Sequence, residues 1–162
     1  MPFVKRQFGL NAELEIKKRG YFPKGGGEIV LTVTATDQFL NSFTLLERGA
    51  VKKIAGIAHL AGLPSTLGKE MVEGASRRLH SITTESGCVV DIRSKREQNR
   101  NTVGAGSGIV LWAELEGGGI ISGSAVGRKG ADAIRVGEDA AEELIQGLKA
   151  GGCVDEACFI PP

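Results

Sequence analysis

The chain has 162 residues, is 41% hydrophobic and 24% charged, and carries a formal net charge of +1. That length suits one domain or two small ones, and this balance excludes a generic disordered tail. No apolar run approaches the roughly 18 residues of a membrane-spanning helix, and the 24 glycines show no G-X-Y period, which excludes collagen and predicts a turn-rich, β-rich α+β chain.

In chain order, residues 2–8 read as the end of a helix, with Phe3, Val4 and Phe8 on one face and Gly9 as its stop. Ala12, Leu14 and Ile16 alternate with Glu13, Glu15 and Lys17, the pattern of a half-buried strand. Residues 28–35 alternate in the same way around Ile29, Leu31, Val33 and Ala35. The two strands are expected to form a hairpin around a turn-rich stretch, residues 19–27. Between residues 37 and 48 the pattern lapses, and Phe39, Leu40, Phe43 and Leu45 predict a crossover covering the core.

A strand is expected over 50–60, then a helix over 65–82 with Ser65 as its N-cap. Leu67, Met71, Ala75, Leu79 and Ile82 give that helix an apolar face. Strands follow over 88–92 and 109–115, with a polar loop over 93–108 between them. Gly117, Gly118 and Gly119 turn the chain into a strand over 120–126. The last helix is expected over about 136–149, with Val136, Ala140, Leu144, Ile145 and Leu148 buried and Gly151 ending it. Residues 157–162, with two terminal prolines, predict an irregular tail. A chain that opens within one element and stops just after another reads as a piece of something larger.

The three cysteines, Cys88, Cys153 and Cys158, are too few and too irregular for a disulfide framework. They form no tight pair with either histidine, so no zinc site is expected. With no apolar leader, the expected location is nuclear or cytoplasmic and not secreted. Charge is uneven: residues 1–38 and 39–125 each carry +2, and residues 126–162 carry −3.

The strongest local signal is Arg19-Gly-Tyr-Phe-Pro-Lys-Gly-Gly-Gly27. Successive glycines admit positive φ and close backbone approach. Beside Arg19 and Lys24, they offer a nest of N–H groups for a phosphate; the other reading is an extended hairpin turn. It is not a Walker A loop, because the lysine precedes the glycines. A second basic feature comprises Arg93, Lys95, Arg96 and Arg100, opposed only by Glu97. It reads either as a flexible loop that follows an RNA backbone or as a solvated loop. Neither His59, at a strand end, nor His80, on the polar side of its helix, has an evident base partner, so neither is expected to be a nucleophile.

The 19–27 pattern resembles the signature of the RNA 3'-terminal phosphate cyclase family. Other stretches resemble that family in the same order: Glu47-Arg48-Gly49 through Ile54 to Ala58, Gly108 to Leu111 with Ala113-Glu114, and Gly127-Arg-Lys-Gly130 through Ala133, Val136-Gly137, Ala140-Ala141 and Leu144 to Gly151-Gly152 and Val154-Asp155-Glu156. The resemblance implies an α+β fold in which residues 1–38 and 126–156 belong to a βαβαββ-type repeat of the cyclase body. Residues 39–125 would be the inserted α+β domain of thioredoxin-like layout. It implies RNA 3' ends as partners, ATP and magnesium as cofactors, and ATP-dependent conversion of an RNA 3'-phosphate to a 2',3'-cyclic phosphate through an adenylylated histidine. Arg19, Lys24, Gly25, Gly26 and Gly27 are the expected substrate-binding residues. Catalytic, cofactor-binding and metal-ligating residues are expected to be absent. In the family the adenylylated histidine lies further downstream, and Ala157-Cys158-Phe159 stands where the family has its Asp-Gln pair. By itself this chain is therefore expected to be inactive. The alternative is a non-catalytic, cyclase-like protein that binds RNA or serves ribosome biogenesis.

Overall fold

The computed structural model describes residues 2–154; the expected tail at 157–162, with Cys158, and the Asp155-Glu156 pair lie outside the described residues. The elements run α1 (Pro2–Phe8), β1 (Ala12–Gly20), β2 (Glu28–Val33), β3 (Val51–Ala61), α2 (Ser65–Ser86), β4 (Val89–Arg96), a 3-10 turn (Asn99–Asn101), β5 (Thr102–Val103), β6 (Gly106–Leu115), β7 (Ile120–Val126) and α3 (Ala133–Lys149). This is the α+β mixture that the patterning predicts.

Two sheets form. One has four strands in the order β4-β3-β6-β7; the other has three, in the order β2-β1-β5. β3 and β4 are parallel and joined by α2, because parallel neighbours need a long crossover. β6 pairs antiparallel with both β3 and β7. Both long helices pack on the four-stranded sheet. Ile54 and Ala58 of β3, Ile109 and Leu111 of β6 and Ile121 of β7 meet Met71, Ala75 and Leu79 of α2 and Ala140 and Leu144 of α3 in one core. Gly74 and Gly137 let the helices close on each other, since a Cβ on Gly74 would overlap the Ile134 carbonyl and one on Gly137 that of Met71. Arg77 pairs with Glu138 and Arg78 with Glu142 across the outside of this helix contact.

The core crosses positions 125 and 126. In the structure α3 packs on the sheet that begins at Val51, and Arg48 Nη1 donates to the Leu148 carbonyl at 2.6 Å. Several local expectations are corrected. Pro64, not Ser65, occupies the N-cap of α2, and no side chain caps it. α3 starts at Ala133, because the Asp132 carboxylate accepts from the Ile134 N–H at 3.0 Å. β4 extends to Arg96, so Arg93, Lys95 and Arg96 lie on a strand rather than in a flexible loop. Residues 37–48 do not cover the core: Phe39 and Leu46 stand exposed, and Phe43 packs edge-on against Phe3 and Phe8 of α1.

β1 and β2 form the expected hairpin, with Leu14 opposite Leu31 and Ile16 opposite Ile29. It is not half-buried. Leu14, Ile16, Ile29, Leu31 and Val33, all on one face, are between 46 and 65% exposed. None of the described helices is long and apolar enough to cross a membrane.

Candidate functional site

The 19–27 loop is tied to one end of the four-stranded sheet. Arg19 and Gly20 pair in parallel with Thr102 and Val103 of β5, and the Tyr21 N–H donates to the Val103 carbonyl at 2.9 Å. Gly25 and Gly26 have φ of 63° and 73°, the left-handed region that favours glycine. The Gly25 N–H closes the turn onto the Tyr21 carbonyl at 3.0 Å, and the Phe22–Pro23 peptide is cis. A Cβ on Gly106 would overlap the Tyr21 ring, so this glycine admits the buried aromatic.

Side chains complete the attachment. The Tyr21 hydroxyl lies 2.9 Å from His59 Nδ1 at the end of β3. Burial pushes the Tyr21 phenol up, with Glu97 reinforcing the shift and Arg19 opposing it. Burial pushes the His59 imidazole down, with Arg19 reinforcing and Glu97 opposing. A protonated phenol beside a neutral imidazole suits donation from Tyr21 to Nδ1, which leaves the ring proton on Nε2. Arg19 Nε donates to Glu97 Oε1 at 3.0 Å, and Lys95 Nζ lies 3.5 Å from Glu97 Oε2.

Between hairpin and sheet lies a concavity of about 400 Å³, lined by Ile16, Lys18, Arg19, Gly20, Tyr21, Gly27, Glu28, Ile29 and His59. Of the expected substrate-binding residues, Arg19 and Gly27 line it. Lys24, Gly25 and Gly26 form the exposed loop tip beside it, and Lys24 has no ion-pair partner among the described residues. Arg19 is committed to Glu97, so its charge is already met.

Sequence reasoning missed the roles of Tyr21, His59 and Glu97. The sequence shows no partner for His59 at its strand end, and no spacing signals its bond to a tyrosine 38 positions earlier. His80 is exposed on α2, as expected. Among the described residues no three His, Cys, Asp or Glu side chains converge on a point where a metal ion would sit.

The model of the RNA 3'-terminal phosphate cyclase insert domain matches residues 46–149. Curated RNA 3'-terminal phosphate cyclases are similar along most of the chain. That of Pyrobaculum neutrophilum is 34% identical over 149 residues, covering 92% of this chain and 41% of the relative. That of Thermococcus gammatolerans is 35% identical over 153 residues, covering 94% and 42%. That of Ignicoccus hospitalis is 34% identical over 157 residues, covering 95% and 42%. The chain thus spans about two fifths of the length of these relatives. A family model matching more than half of the chain and relatives alike through both the loop and the four-stranded sheet agree: the chain belongs to the RNA 3'-terminal phosphate cyclase family.

Proposed function

We propose that this chain carries an RNA-end grip for the ATP-dependent conversion of an RNA 3'-phosphate to a 2',3'-cyclic phosphate, the activity that the relatives' names point to. The observation that carries the reading is the 19–27 loop, held rigidly by Tyr21 and His59, with its positive-φ glycines and Lys24 free at the tip. In this reading the Lys24 ammonium and the N–H groups of Gly26 and Gly27 receive the terminal phosphate. Arg19 acts as a latch through Glu97 and fixes the loop, while the concavity beside it holds the terminal ribose.

In this reading the 3'-phosphate is activated by transfer of AMP from ATP, whose α–β phosphoanhydride bond breaks and whose pyrophosphate leaves. The adjacent 2'-hydroxyl then attacks phosphorus, a new P–O bond closes the ring, and AMP leaves. Holding the end still favours that closure, since the attacking hydroxyl is already tethered. None of these residues is assigned to ATP or magnesium. Neither histidine is assigned the adenylylated role. His59 has its Nδ1 committed to Tyr21, and the His80 side chain has no activating partner among the described residues.

Two measurements test this reading. Lys24→Ala should lower the preference for a 3'-phosphate over a 3'-hydroxyl end about tenfold, the scale of a lost charge-assisted hydrogen bond. An unchanged preference removes the loop from the site. Labelled ATP should leave no covalent adduct on the purified chain, and an AMP adduct at His59 or His80 overturns the non-covalent role.

A further inference from the structure

The four-stranded sheet ends on one side at β4, and no other described strand pairs with its outer side. β4 is eight residues long, keeps an unbroken parallel register with β3, and contains neither proline nor glycine. Just past its end, the Glu97 N–H donates inward to the Leu60 carbonyl at 2.8 Å. Backbone groups alternate in direction along a strand, so those of the odd-numbered residues face β3 and those of Val90, Ile92, Ser94 and Arg96 point away from it. Val89 and Val90 are 64% and 41% exposed. The other edge of the sheet, β7, differs, because Val154 bridges to Ile120 there. An unpaired edge of this length is a template for another strand.

We propose that β4 pairs antiparallel with β4 of a second copy of this chain, about a two-fold axis at Ile92. Register and charge carry the assignment. α2 and α3 pack on the sheet in one core, so like faces must join, and odd-numbered residues must meet odd-numbered ones. Centring the pair on Asp91 sets two aspartates opposite each other, and centring it on Arg93 sets two arginines opposite. Centring it on Ser94 sets Arg93 opposite Lys95. Centring it on Ile92 sets Asp91 opposite Arg93 of the second copy, twice by symmetry, with Val90 opposite Ser94 and Val89 opposite Lys95.

The backbone directions agree with that centre. Ile92 meets its own copy as a hydrogen-bonded pair, and so do Val90 and Ser94. Asp91 and Arg93 then form a non-hydrogen-bonded pair, the kind in which Cα atoms approach to about 4.5 Å and side chains are closest. Within one copy Arg93 already bonds Asp91, through Nε at 2.6 Å and Nη2 at 2.9 Å. The dimer keeps that pair and adds to it: four charges alternate in sign around the axis, each between two opposite ones. Charged side chains on an edge usually discourage pairing; in this one register their order favours it. Ile92, partly buried against the core, gains cover on the axis. Two four-stranded sheets become one of eight strands, with the two 19–27 loops at opposite ends.

Sedimentation of the full chain should show a monomer–dimer equilibrium. Asp91→Arg and Arg93→Asp, each checked for native circular dichroism, set like charges opposite twice per dimer and should weaken it about tenfold or more. The double variant Asp91→Arg/Arg93→Asp makes the signs opposite again and should recover most of the loss. Amide exchange followed by NMR should slow with concentration at Val90, Ile92 and Ser94, whose N–H groups cross the axis. It should change far less at Asp91 and Arg93, whose N–H groups face β3. Leu31→Thr should leave this dimer in place and remove only larger species.

A dimer indifferent to both single reversals overturns the proposal, as does a double variant as weak as either single one. A dimer lost in Leu31→Thr and kept in Asp91→Arg assigns association to the hairpin face and also overturns it. A chain that stays monomeric up to about 1 mM leaves the β4 edge to a strand of a different protein and overturns the pairing of copies.

Discussion

The hairpin β1–β2 and the four-stranded sheet are written in similar amphipathic strands, yet they end in different environments. In the sheet, Ile54, Ile109, Leu111 and Ile121 meet α2 and α3 and are completely buried. In the hairpin, Leu14, Ile16, Ile29, Leu31 and Val33 align just as regularly on one face, and no described helix covers them. Alternation makes a strand amphipathic; only a second layer turns that amphipathicity into stability. The hairpin is held mainly at its loop end, by β5, Tyr21–His59 and Arg19–Glu97.

The largest effect expected from this contrast comes from the buried side. Leu79→Ala removes a fully buried side chain from the helix–sheet core and should cost about 2–5 kcal/mol in urea unfolding. A cost below about 1 kcal/mol would show that the core is far looser than this packing.

A smaller effect is expected at the junction of the two regions. Burial lowers the folded-state pKa of His59, so the folded chain binds fewer protons than the unfolded chain just below the ordinary histidine value. Stability linked to His59 is thus fully present above about pH 6.5 and is lost as pH falls from there toward the folded value. Urea midpoints between pH 5 and 8 should show that slope in the native chain, and His59→Gln should flatten it. An identical slope in both would place the titrating group elsewhere.

The smallest effect belongs to the exposed hairpin face. Leu31→Thr keeps a strand-favouring residue and should change unfolding by no more than about 0.5 kcal/mol, while reducing self-association in sedimentation. A loss comparable to that of Leu79→Ala would mean that a layer covers the hairpin after all.

The sequence by itself determined the elements and the loop. The 3.6-residue spacing of Met71, Ala75 and Leu79 and of Val136, Ala140 and Leu144 marked α2 and α3, and alternation marked the strands, because these patterns are local consequences of backbone geometry. The glycine run with Lys24 was legible for the same reason, since positive φ at Gly25 and Gly26 is a local demand. Ends were less legible: Asp132 as the cap of α3 and the extension of β4 to Arg96 depend on which backbone groups find partners.

Only the tertiary structure decided which surfaces meet. Periodicity gives each strand two faces without naming the one that will be covered, so it predicted a half-buried hairpin and could not show that α3 packs on the sheet of β3, β6 and β7. It also could not bring Tyr21 to His59 or Arg19 to Glu97, or leave β4 at the edge of its sheet, because those outcomes follow from strand order and register. The physical reason is one of range: dihedral preference and side-chain alternation act over a few residues, whereas a docking surface is set by pairings between strands far apart in the chain.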